Sequence, residues 1–255
     1  SLPGCSLEAG TGGELIDFQF AVDTEPSITA PFTTLEGWTV TLDQAYIAVG
    51  PAWLYENPPA SGLEANPDWL ARAAEWLVPT ALAHPGDAFF DGGHLRGEFL
   101  EQHVVDLVAG GPLLLGDARG VAGECGTLTL VLDPPSSTIA GDPTLLAGYP
   151  VWISGQAERE GEMGETEVVV FAGGLELDAD DRELTSIRAE FDLADGDEVV
   201  LRIDVQSWLE EAQFDRLETD DGSGVMVIEP DSQVAIAWKL ALRNAGSYSA
   251  RNSAL

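Results

Sequence analysis

Apolar and polar residues alternate with a period of two along most of this chain. Ile16, Phe18, Phe20 and Val22 alternate with Asp17, Gln19 and Ala21. Trp38, Val40 and Leu42 alternate with Thr39 and Thr41, and Ala45, Ile47 and Val49 continue the run until Gly50-Pro51 breaks it. A strand turns successive side chains to opposite faces, so the pattern reads as strands with one covered face. Further strands are expected over 98–108, 126–132, 150–157, 167–172, 184–193 and 198–205. Asp133-Pro134-Pro135, Gly141-Asp142-Pro143, Gly173-Gly174 and Asp195-Gly196-Asp197 supply the turns between them. Many short strands with this punctuation predict a mostly-β, antiparallel β-sandwich. It forms a single domain over 13–255, preceded by an N-terminal tether over 1–12.

Helical spacing is confined to two places. Asn66-Pro67-Asp68 places a capping residue before a proline at the first helical position. Trp69, Leu70, Ala73, Trp76 and Leu77 then share a helical face until Pro79. A second helix is expected from Asp231 through Val234, Ala237, Trp238 and Leu242 to Asn244, and a single turn over 207–212. The stretch 56–97 is a long insertion between strands, where function usually sits on a β scaffold.

Charge narrows the partners. The chain carries 44 Asp and Glu against 11 Lys and Arg, a formal net charge of −33. Such a surface repels phosphate backbones, so nucleic acid is excluded as a natural partner, and anionic membrane surfaces are disfavoured. A carboxylate-rich surface fits a high-salt source. It also raises calcium as a ligand, although Asp178 to Asp181, Asp192 with Asp195 and Asp197, and Asp220-Asp221-Gly222 do not follow the spacing of a calcium loop.

The three histidines lie within twenty residues, at His84, His94 and His103. Imidazole is the commonest transition-metal ligand, so copper or zinc comes before calcium as a candidate cofactor. Their spacings of ten and nine match no compact metal motif. Pro85-Gly86 forms a turn that can aim His84, and Gly92-Gly93 gives His94 freedom to fold back. Convergence of His84 with His94 or His103 is therefore expected, with Asp87 as a fourth ligand or as the acceptor that orients an imidazole.

The two cysteines, Cys5 and Cys125, leave two readings open. Leu2-Pro3-Gly4-Cys5 reads as the tail of a lipobox, with a lipid on Cys5 as the membrane tether. Alternatively Cys5 and Cys125 form a disulfide. Both place the protein outside the cytoplasm, in the periplasm, on the outer membrane surface or secreted. Nucleophile elbows and glycine-rich phosphate loops are missing from the sequence, so binding is favoured over catalysis. Most of the seven tryptophans sit in strand or helix patterns that predict packing, which leaves few for a sugar platform.

Four segments carry a resemblance: 37–55 with Trp38 and Trp53, Ala83-His84-Pro85-Gly86, 196–214 with Trp208 and Phe214, and Leu242-Arg243-Asn244-Ala245-Gly246-Ser247-Tyr248. Together they resemble a group of envelope lipoproteins common in myxobacteria. That group is distantly similar to the copper-repressible surface copper-binding proteins and the MbnP proteins of methanotrophs. The resemblance implies a β-sandwich, an envelope location and a histidine-built copper site with His84 at the His-Pro-Gly turn. Where the group often has a second histidine after that turn, this chain has Asp87. The expectation is a secreted or lipid-anchored binding protein for a metal ion or small ligand, copper first. The alternative is a metal-free structural, interaction or carbohydrate-binding domain.

Overall fold

The structure is a computed structural model that describes residues 14–58, 93–161, 164–218 and 222–253. The helix expected at 66–79 lies outside them. In chain order the strands are β1 (Leu15–Thr24), β2 (Phe32–Thr33), β3 (Thr39–Val49), β4 (Ala52–Tyr55), β5 (Leu95–Phe99), β6 (His103–Asp106) and β7 (Leu113–Val121). They continue as β8 (Gly123–Val131), β9 (Val151–Glu160), β10 (Thr166–Leu175), β11 (Glu183–Leu193), β12 (Glu198–Ile203), β13 (Met226–Val227) and β14 (Tyr248–Ser253). Two helices are described, a single turn α1 (Val205–Trp208) and the longer α2 (Gln233–Leu242).

The chain is mostly β, but the expected antiparallel sandwich of two open sheets is overturned. The larger sheet closes on itself as an eight-stranded barrel in the order β1-β12-β14-β11-β8-β4-β5-β7. It is also mixed, because β1 lies parallel to β12 and β11 parallel to β14. The second sheet runs β13-β10-β9-β3-β2, with β6 added against β3. Alternation reports only that a strand has one covered face, and a barrel wall satisfies this as well as a sandwich does. Closure rests on features that alternation does not encode. At the β5–β7 seam, Gly97 pairs with Gly120 and Glu98 with Arg119. A Cβ on Gly120 would overlap the Arg96 carbonyl oxygen, and one on Gly97 would sit 2.9 Å from the Phe18 ring. The close β5–β7 approach, one of the pairings that complete the barrel, therefore needs two glycines face to face.

One core serves both sheets. Phe18, Phe20, Leu128 and Leu201 of the barrel share a buried cluster with Trp38, Val40, Ile153 and Phe171 from the second sheet side. Burying such side chains contributes roughly 1.5–3 kcal/mol each. α2 lies where its spacing predicts: Val234, Ala235, Trp238 and Leu242 are buried, and the Ser232 hydroxyl accepts from the Ala235 amide as N-cap. The run 38–49 is one strand, and its alternation changes phase at Asp43 because the β3–β9 register shifts between Leu42 and Gln44. The strand expected over 98–108 is two. β5 belongs to the barrel and β6 to the second sheet, so Leu100, Glu101 and Gln102 form the corner between them.

Candidate functional site

That corner holds the one sequence-predicted histidine with a defined environment. His103 begins β6, pairs with Val49 of β3 and bridges Ala140 on its other side. The Val104 amide donates to the Ala140 carbonyl at 2.9 Å, and the Ala140 amide donates to the Gln102 carbonyl at 2.8 Å. Backbone pairing on both sides therefore fixes where the imidazole starts. Its Nε2 lies 3.1 Å from Oε2 of Glu101, and its ring centroid lies 5.6 Å from that of Phe99. The His103 side chain is 14% exposed while Glu101 is 70% exposed, so a sheltered ring leans on a solvated carboxylate. Gly50 makes room for this corner. Its φ is +103°, and a Cβ there would overlap the Glu101 carbonyl oxygen.

Beside the pair opens a groove of about 720 Å³, walled by Gly50-Pro51, Leu100 to Gln102, the 133–140 connection and Arg182. Gln102 ties its walls together. Nε2 donates to the carbonyls of Asp133 at 3.0 Å and Pro134 at 3.3 Å, and Oε1 accepts from the Ser136 amide at 2.9 Å. Arg182 donates from Nε to the Leu177 carbonyl at 3.0 Å and from Nη1 to Asp133 at 3.3 Å.

The other expected site residues are scattered. His94 is exposed and precedes β5, where its carbonyl accepts from the Glu56 amide at 3.0 Å. His103 follows β5 at the opposite end, and five residues of strand span about 16 Å at about 3.3 Å each. His94 and His103 are thus kept apart by the strand between them. His84, Asp87 and Cys5 lie outside the described residues. Cys125 on β8 is 1% exposed, and it has no disulfide partner among the described residues. Burial pushes its thiol up to about 12, against a smaller opposing pull from Arg96.

Asp220 and Asp221 lie outside the described residues, while members of the other two acidic clusters have protein partners. Asp181 binds Lys239 at 2.8 Å and Arg243 at 2.9 Å. Asp197 accepts from the Ala194 amide at 2.7 Å and from Asn252 at 2.7 Å, and Asp195 accepts from the Asp17 amide at 3.1 Å. Among the described residues no group of three or more His, Cys, Asp or Glu side chains is arranged to hold a metal ion. Trp38, Trp208 and Trp238 are buried in the core and Trp53 and Trp152 are half-buried, so no described tryptophan offers an open sugar platform.

Sequence reasoning did not pick out Glu101, Gln102, Asp133 or Arg182. They come from separate corners of the chain, and only Asp133 carried any mark, as part of an Asp-Pro-Pro turn. No helix among the described residues is long and apolar enough to cross a membrane.

No protein-family model and no curated protein matches the chain. Among solved structures, MbnP from Methylosinus trichosporium aligns over 94% of this chain and 99% of that chain, with 12% identity and a TM-score of 0.33. A likeness at that level carries neither a fold family nor a ligand across, and the lipoprotein group suggested by short motifs gains no support.

Proposed function

We propose that this chain is an extracytoplasmic binding protein, secreted or lipid-anchored through Cys5, whose ligand is a transition-metal ion, copper before zinc. The observation that carries the reading is the Glu101–His103 pair at 3.1 Å. A carboxylate that accepts from one ring nitrogen fixes the tautomer and orientation of the imidazole, as in carboxylate–histidine–metal arrangements. With Nε2 donating to Glu101, Nδ1 carries the lone pair, and no described residue hydrogen-bonds to it. The described residues do not complete a coordination set. His84 and Asp87 are the further ligands in this proposal, and His94, at the far end of β5, is not one. A carboxylate in the set suits Cu²⁺ or Zn²⁺ better than Cu⁺.

Equilibrium dialysis of untagged protein against Cu²⁺ and Zn²⁺, read by elemental analysis, tests it. One copper per chain is expected, retained in His94→Ala and lost in His103→Ala and His84→Ala. A wild-type chain without stoichiometric copper or zinc, or a His103→Ala variant that still binds, overturns the reading. The groove beside His103 favours a second reading, a metal-free binding domain.

A further inference from the structure

We propose that the groove at the barrel corner binds a neutral polyhydroxylated ligand, of saccharide chemistry, independently of any metal at His103. Size is the first ground. About 720 Å³ lies within the roughly 300–1,000 Å³ range of small-molecule sites and far exceeds what a bare ion needs.

Rigidity is the second. The three hydrogen bonds of the Gln102 amide and the Arg182 bond to the Leu177 carbonyl fix the walls without help from a ligand. A preformed site spends little of its interaction energy on ordering.

Charge is the third ground, and it selects the ligand. Asp133 is paired with Arg182 at 3.3 Å and Glu101 lies against His103 at 3.1 Å, so among the described residues the groove holds no uncompensated cation to recognise an anion. The formal charge of −33 repels anions before they arrive. What remains is hydrogen-bonding capacity of both signs. The second oxygens of the carboxylates accept, the guanidinium has further N–H groups to donate, and the Ser136 and Thr138 hydroxyls, 3.3 Å apart, do both. A ligand hydroxyl also donates and accepts, and matches such a surface. Pro51, Pro134 and Leu100, the last 61% exposed, give aliphatic walls for the C–H face of a sugar ring. No aromatic ring lines the groove among the described residues, so the affinity is weak, in the high-micromolar to millimolar range.

A printed array of neutral, sialylated and sulfated glycans, probed with the full chain in EDTA, is the test, followed by calorimetry on the strongest neutral hit. Neutral glycans should be retained and acidic ones not. The Ser136→Ala/Thr138→Val double variant should weaken the hit at least tenfold. Thr138→Trp, which fills the groove, should abolish it, with unchanged thermal melts showing that both variants fold. The hit should be the same in EDTA as with added Cu²⁺, which keeps this outcome separate from that of the metal reading. An array with no neutral hit, a hit insensitive to Thr138→Trp, or one that needs added metal overturns the proposal.

Discussion

Gly97 and Gly120 pair across the β5–β7 seam of the barrel, where a side chain on Gly120 would strike the Arg96 carbonyl of the neighbouring strand and one on Gly97 the Phe18 ring. Strand glycines of this kind mark a close backbone approach rather than a weak spot. Gly120→Val should therefore destabilise the protein by about 1–3 kcal/mol through overpacking, as should Gly97→Val against Phe18. Urea melts measure it. A variant with an unchanged midpoint would mean that the seam can open without cost.

Cys125 makes a different kind of prediction. Its side chain is buried, and burial holds the thiol up to about 12. At pH 8 a thiol with that value is thiolate to about one part in 10⁴, and the thiolate is the reactive form. In a Cys5→Ser background, native protein should leave a thiol reagent unreacted for hours and titrate one thiol on denaturation. Rapid reaction of the native variant would place Cys125 at the surface.

How much of this was legible follows from what each pattern encodes. The period-two runs located β1, β3 and β8 to β12 because those strands have one covered face, but the phase change at Asp43 in β3 passed as a continuation of the run. β7 was not legible. Its sequence LLLGDARGV alternates poorly, with Leu113 and Leu114 both exposed and Gly116 and Gly120 inside it. Closure of the barrel was hidden for the same reason, since its seam consists of glycines. Of the site, His103 could be flagged as an imidazole, but its partner Glu101 was one carboxylate among 44. The groove was invisible because four separated corners make it, and only the topology that sends β5 and β6 into different sheets brings them together.

Asp181 gives the pH dependence a sign. The hydrogen bond from Lys239, with Arg243 adding its charge, holds the Asp181 carboxyl below its ordinary value. A carboxyl lowered in the folded state stabilises fully above its unfolded value of about 3.9, and that contribution fades as pH falls through the folded value. The Lys239 ammonium is raised chiefly by the same bond, so its share persists into alkaline solution and is lost as pH rises through its folded value. Asp181→Asn should lower the thermal midpoint at neutral pH. The gap from wild type should narrow steadily below about pH 4. A gap that stays constant down to acid would show that the charge of Asp181 plays no part.

Salt should stabilise the fold. The 44 carboxylates outnumber the 11 Lys and Arg by 33, so much of their mutual repulsion is left uncompensated. Screening shortens the range of their mutual repulsion. The thermal midpoint should rise between low and high NaCl by at least about 2–4 °C, the shift produced by about 1 kcal/mol in a chain of this size. Choline chloride should do the same at equal ionic strength. Coincident melts would contradict the screening account, and a rise confined to calcium chloride would point to a bound cation instead.

Arg159 is the place where charge and core meet. Its guanidinium carbon lies 4.2 Å from the centre of the Trp38 ring, which is fully buried beneath it. The same group binds Glu167 at 2.9 Å and Asp215 at 3.2 Å, so it spans β9, β10 and the turn that carries Phe214. Phe214 in turn meets Trp38 edge-on at 5.8 Å between ring centroids. The carboxylates are somewhat more than a third exposed and solvent screens them, so the ion pairs contribute little on their own. The larger share belongs to the cation over the indole, on the order of 1–2 kcal/mol at a partly desolvated site. Arg159→Met keeps the aliphatic cover and removes the charge, and should cost that amount. Arg159→Lys should recover only part of it, because an ammonium cannot lie flat on the ring while reaching both carboxylates. The decisive measurement is a double-mutant cycle with Trp38→Phe, read by urea melts at low and high NaCl. A coupling of about 0.5–1 kcal/mol that survives high salt is expected, since a quadrupole contact sheltered from solvent is screened less than a surface ion pair. A coupling near zero, or one that vanishes in salt, would assign the cost to Glu167 and Asp215 and leave Trp38 an ordinary core residue.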